Sequence, residues 1–244
     1  MNKDSRDSLQ LLVFSHFRKE NRGYTFPENA LEDLTMIKAL IFDLDGTLVD
    51  SELIGAEALA SLLPELGLTG AEIMARYRGW RFATILEEFS MLTERRLDES
   101  FVEAYRALSG KRFEAELQAF AGVEEMLQTA TLPMCIASSG PPEKIARSLR
   151  VTGLGRFFGA RAYSAYVVNS WKPDPGLFLH AAAAMGVEPG ECLVIEDSEV
   201  GVEAARRAGM RALVHCPENR GLPGLPHFSD YRDFHKVVRQ LAAA

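Results

Sequence analysis

The chain has 244 residues, 47% of them hydrophobic and 25% charged, enough to bury a core as one large domain or two small ones without disulfides or a structural metal. Its 34 acidic against 27 basic residues give a net charge of −7, which argues against a general nucleic-acid binder or a protein of anionic membrane surfaces, although a pocket can still be locally basic. No apolar run nears the ~20 residues that span a bilayer, and Cys135, Cys192 and Cys216 sit in apolar runs without CxxC spacing, as reduced thiols of a cytoplasmic protein do.

Residues 1–35 are polar and of mixed charge, and the apolar run Leu11 to Phe14 is too short for a secretory leader. They read as a mobile N-terminal extension, or as an upstream segment before a start at Met36. Ile37 to Phe42 is a short apolar run bounded by polar residues, the pattern of a buried strand. From 51 to 117 the pattern is helical. Leu53, Leu59, Leu62, Leu63 and Leu66 recur near the 3.6 period up to Gly67. Further helical segments carry Phe82, Ile85, Leu86 and Phe89, then Phe101, Tyr105 and Leu108 beyond Asp98.

After Ala119, strands and helices alternate. Gly122 to Thr129 reads as helix, Met134 to Ala137 as strand, Pro141 to Leu149 as helix and Arg161 to Tyr163 as a short strand. Pro175 to Met185 follows as helix, Cys192 to Ile195 as strand, Glu199 to Ala208 as helix and Ala212 to Val214 as strand. Gly221 to Pro226 reads as a loop and Tyr231 to Ala243 as a last helix. Alternation with short loops predicts an α/β fold, a Rossmann-like parallel sheet built from residues 36–50 and 118–244, with 51–117 as an inserted helical unit.

Ligands of parallel sheets bind beyond the carboxyl ends of the strands. Those ends deliver Asp43 and Asp45, then Ser138 and Ser139, then Lys172, then Glu196 and Asp197. Crowded carboxylates repel one another, and oxygen-only ligands favour Mg²⁺. Lys172 and Ser138 are donors for phosphate oxygens. One carboxylate can attack phosphorus while a second moves the proton. The set is complete for phosphoryl transfer.

Asp43-Leu44-Asp45-Gly46-Thr47-Leu48-Val49-Asp50-Ser51 resembles the first motif of the haloacid dehalogenase superfamily. Ala137-Ser138-Ser139, Lys172-Pro173-Asp174-Pro175 and Glu196-Asp197-Ser198 with Gly201 resemble its other three, in order, and the helical insertion resembles the small cap of its β-phosphoglucomutase-like subgroup. The resemblance covers about residues 37–220. It implies that Asp43 is the nucleophile and a Mg²⁺ ligand, and that Asp45 is the general acid/base with its carbonyl on the metal. Asp197 would be a metal ligand, with Glu196 either a ligand or a support behind the ligands, and Ser138, Lys172, Thr47 and the Ser139 amide would hold phosphate.

Arg76, Arg78 and Arg81 surround Gly79-Trp80, where related enzymes send a cap loop toward the substrate. Arg78 and Arg81 are therefore expected to read a second anionic group. The resemblance implies a phosphatase acting on a small phosphorylated metabolite, of the sugar-phosphate or phosphogluconate type, and a monomer is the expectation. The mutase alternative is weakened by Gly55, where those mutases carry a cap histidine, and by Phe82, where they carry an arginine. A phospho-receiver module has neither the DxD spacing nor a helical insertion.

Overall fold

The structure is a computed structural model that describes residues 37–217, 222 and 224–243, with side chains to 239. The N-terminal extension, Met36, and part of the loop expected at Gly221 to Pro226 lie outside the described residues. Strand β1 (Ala39–Phe42) is followed by four helices: α1 (Glu52–Leu62), α2 (Gly70–Tyr77), α3 (Phe82–Thr93) and α4 (Glu99–Glu116). Then come α5 (Val123–Thr129), β2 (Met134–Ser138), α6 (Pro142–Val151), α7 (Gly155–Phe158), β3 (Ala162–Ser164), α8 (Ala165–Val168) and α9 (Gly176–Met185). The chain continues through β4 (Cys192–Glu196), α10 (Glu199–Arg207), β5 (Arg211–His215), β6 (His227–Phe228) and α11 (Phe234–Ala243).

All the strands pair in parallel, in the order β3-β2-β1-β4-β5-β6. The chain order reverses at β1, which lies between β2 and β4, so the crevice beyond its carboxyl end is the place for a ligand. Side chains of β1 alternate between two apolar layers. Leu40 and Phe42 join Ile136, Phe158, Ile195 and Phe234 on one face, while Ala39 and Ile41 join Cys135, Phe178 and Val194 on the other. A third cluster, with Leu59, Ile73, Tyr77, Phe89 and Phe101, is confined to α1–α4 and the turns between them. The three cysteines are buried free thiols.

Several elements differ in detail from the sequence expectation. Helix α1 ends at Leu62 rather than running to Gly67, because Pro64 disfavours helical backbone at the residue before it. Leu53, expected on its apolar face, is exposed. Helix α2 was not anticipated, although its capping box is legible: Thr69 Oγ1 accepts the Glu72 N–H at 3.2 Å and Glu72 Oε2 accepts the Thr69 N–H at 2.8 Å. Residues Tyr231–Asp233 form a 3₁₀ turn, and the last helix starts at Phe234.

Candidate active site

Strand β1 delivers Asp43 into the crevice, and the Asp43 N–H still donates to the Ile195 carbonyl at 2.9 Å. The chain then turns sharply. Gly46, at φ +79°, takes a backbone conformation that side chains disfavour, and a Cβ there would overlap the Asp197 carboxyl. Two carbonyls of this turn are held from behind. His215 Nδ1–H donates to Gly46 O, and the Tyr231 hydroxyl donates to Thr47 O, both at 3.1 Å. Burial pushes His215 down to about 4, against the pull of its hydrogen bond to Gly46, so the imidazole is neutral. Sequence reading missed both residues, since neither stands in a motif.

Lys172 is buried with its ammonium between two carboxylates, 2.5 Å from Asp43 Oδ1 and 2.5 Å from Glu196 Oε1. The peptide bond from Lys172 to Pro173 is cis. Burial opposes the lysine's charge, but the attraction of Asp43 and Glu196 overrides it and raises the lysine's pKa. Burial also pushes Asp43 up to about 8; Lys172 pulls it down, and Glu196 and Asp45 add to the rise.

Glu196 Oε2 accepts from Asp197 N at 3.0 Å, Ser198 N at 3.0 Å and Ser198 Oγ at 2.9 Å. A Cβ on Gly201 would overlap this carboxyl, so helix α10 can approach only with glycine there. Both Glu196 oxygens are thus engaged. The residue holds Lys172 and the start of α10.

Asp45 is held by Ser51 Oγ at 2.5 Å and by Lys144 Nζ at 2.7 Å. Burial raises its pKa, but Lys144 and Ser51 outweigh this and hold it below its ordinary value. Lys144, on the first turn of α6, lies six residues past Ser138 and was not singled out from the sequence. Asp197 accepts from Thr47 Oγ1 at 3.3 Å through Oδ1. Its Oδ2 is buried without a hydrogen bond, with Arg78 Nε 3.8 Å away. Burial, then Glu52, Glu196 and Asp43, pushes Asp197 well above its ordinary value, with Arg78 opposing.

That orphaned oxygen fits a cation. Among the described residues no group of three or more His, Cys, Asp or Glu side chains is placed to hold a metal ion alone. The oxygens available are those of Asp43 and Asp197 plus backbone carbonyls, with the Asp45 side chain committed to Ser51 and Lys144. So sparse a hard-oxygen set leaves the rest of the coordination to water and substrate, as Mg²⁺ prefers.

The residues enclose a cavity of about 270 Å³ between the strand ends and α1–α4. Asp43, Asp45, Ser139, Lys172, Glu196, Asp197, Arg78 and Arg81 line it. Ser138 and Thr47 are fully buried behind that lining, and Ser138 Oγ accepts the Gly140 N–H at 3.0 Å. Arg78 pairs with Glu52 Oε2 at 3.3 Å as well as with Asp197, and the Arg81 guanidinium lies 4.1 Å from the centre of the Trp171 ring.

The sequence profile of haloacid dehalogenase-like hydrolases matches residues 37–209. The chain is 34% identical over 193 residues to the 6-phosphogluconate phosphatase of Escherichia coli K12, covering 78% of this chain and 87% of that one. A haloacid dehalogenase-like protein of unknown function from Agrobacterium tumefaciens C58 superposes with a TM-score of 0.74 at 31% identity, covering 84% of this chain and 99% of that one. A putative β-phosphoglucomutase from Thermotoga maritima superposes with a TM-score of 0.68 at 25% identity, with coverage of 84% and 99%. With a family model matching most of its length, the chain belongs to the haloacid dehalogenase-like hydrolases. Within the class it is a phosphatase.

Proposed function

We propose that this phosphatase hydrolyses a small phosphorylated metabolite of the sugar-phosphate or phosphogluconate type, with Mg²⁺ and through an aspartyl-phosphate on Asp43. One observation carries the reading. Lys172 Nζ sits 2.5 Å from Asp43 Oδ1, so a phosphoryl group arriving on Asp43 meets an ammonium already in place. Mg²⁺, held by Asp43, Asp197 and the Asp45 carbonyl, would supply charge neutralisation for the phosphoryl oxygens.

The chain's own residues carry the steps. An Asp43 carboxylate oxygen forms a bond to phosphorus as the ester P–O bond breaks. Asp45, which holds a proton once substrate draws Lys144 away from it, gives that proton to the departing oxygen. As the carboxylate it then takes a proton from water, whose oxygen attacks the aspartyl-phosphate and releases inorganic phosphate and free Asp43. Lys172 holds the phosphoryl oxygens throughout, and the amide of Ser139, which lines the cavity, would do the same.

Tyr105 favours hydrolysis over transfer between positions of a sugar. Its hydroxyl lies 3.1 Å from where a Cβ on Gly55 would stand, so the place of the mutase histidine is taken. The test is phosphate release from sugar phosphates with Mg²⁺, before and after chelation. Release that survives complete chelation overturns the metal assignment, and no release from any ester overturns the substrate class.

A further inference from the structure

The cavity has a second cationic wall, on the core rather than on the loop at Arg78 to Arg81. Lys144 and Arg147 stand three apart on α6, one above the other on the same face. Lys144 Nζ is 2.7 Å from Asp45 Oδ1, so it borders whatever leaving group Asp45 protonates. Arg147 lies one turn further along and crosses α4 at Gly110, where a Cβ would overlap its guanidinium. Its nearest acid, Glu114, is 3.7 Å away, and both side chains are about a third exposed or more, so the pair is weakly held. Arg106 of α4 lines the same cavity.

The other cations are committed elsewhere: Lys172 to Asp43 and Glu196, Arg78 to Glu52 and Asp197, and Arg81 to the Trp171 ring. We propose that Arg147, with Lys144 at its root and Arg106 beside it, forms the subsite for a carboxylate at the far end of the substrate, which makes the enzyme selective for phosphorylated sugar acids. The inference rests on the phosphatase reading above. Spacing sets the length of the acid. The Cα atoms of Lys144 and Arg147 are about 4.5 Å apart along the helix axis. An acid whose carboxylate is one carbon from the ester meets Lys144 alone, and a sugar acid of five or six carbons extends to Arg147. Along that path its hydroxyls pass Lys144 and its carboxylate takes the place of Glu114 at Arg147, leaving Glu114 to its direct pair with Arg150.

The experiment compares kcat/KM for 6-phosphogluconate, glucose 6-phosphate and 2-phosphoglycolate, measured by phosphate release with Mg²⁺. Wild type, Arg147→Gln, Arg147→Lys and Arg106→Gln are assayed alongside their unfolding midpoints. Wild type is expected to prefer 6-phosphogluconate to glucose 6-phosphate by tenfold or more. Arg147→Gln lowers that ratio about ten- to a hundredfold, mostly through KM, and Arg147→Lys retains most of it. The ratio of 2-phosphoglycolate to glucose 6-phosphate stays put in Arg147→Gln. Should Arg147→Gln fail to fold, Arg106→Gln carries the test with a smaller fall. An acid preference that is absent from wild type, or that survives in Arg147→Gln and Arg106→Gln, overturns the subsite and leaves the phosphatase standing. No release from any of the three esters overturns the reading beneath it.

Discussion

The two walls of the cavity are built differently. On the sheet side most groups of the site have several partners: Lys172 has two carboxylates, Glu196 four donors, and the Gly46 turn is braced by His215 and Tyr231. On the side of α1–α4 the described contacts to the site are few, chiefly Arg78 to Asp197 at 3.8 Å and Arg81 on Trp171. Most of its apolar residues form a cluster of their own, and, among the described residues, only Ile54 and Phe113 of its helices join the core against the sheet. The core therefore fixes chemistry, while the helical unit can vary its lining without disturbing the reacting groups.

Four changes break or sharpen this contrast. Asp43→Asn is nearly isosteric and should lose several powers of ten in kcat with an almost unchanged unfolding midpoint. Substantial Mg²⁺-dependent phosphate release by the purified variant would remove Asp43 as nucleophile. Lys172→Met leaves two buried carboxylates without their cation and should lose about 3–5 kcal/mol of stability in denaturant titration. Its counterpart in the helical unit, Arg95→Ala, breaks only the exposed pair with Glu65 and should leave the midpoint where it was. Equal shifts in the two variants would show that the buried cluster is no more demanding than the surface.

The third change uses pH. His215 titrates near 6.5 in the unfolded chain and at about 4 in the folded one. Between those values the unfolded chain binds more protons, so stability falls as pH falls. The slope is at most about 1.4 kcal/mol per pH unit. His215→Gln should flatten the curve across that window, and parallel curves for wild type and variant would show that His215 is not the group responsible. The smallest effect compares two glycines. Gly201→Ala drives a methyl into the Glu196 carboxyl and should cost about 1–3 kcal/mol. Gly67→Ala meets nothing within 4 Å and carries only the strain of φ +61°, about 1 kcal/mol. A Gly67→Ala loss as large as that of Gly201→Ala would mean the helical unit is packed as tightly as the core.

Much of the site was legible because its residues sit at strand ends, where a run of buried apolar residues stops at a charge. Asp43, Asp45, Lys172 and Asp197 line the cavity as their positions implied. Glu196 stands at the strand end as expected, but the sequence does not show the four donors gathered on its carboxylate. Ser138, at the end of β2, and Thr47, in the turn after β1, lie behind the lining because which side of a strand end or turn faces the crevice depends on packing. Lys144, Glu52, His215 and Tyr231 went unnoticed: each is an ordinary residue of a helix, strand or turn, made relevant by a neighbour far away in the chain.

Sequence alone determined the alternating strands and helices, the helical insertion after the first strand, and the order in which carboxylates and lysine reach one rim. These follow from local periodicity and from the rule that parallel strands present their carboxyl ends together. Tertiary structure decided which oxygen pairs with which cation. Lys172 is 129 residues from Asp43 and His215 is 169 residues from Gly46, separations across which no local pattern carries information. Only closure of the sheet brings these groups within hydrogen-bond distance. Burial then raises the pKa of Asp43 and Asp197, and the cations folded against them pull it back down.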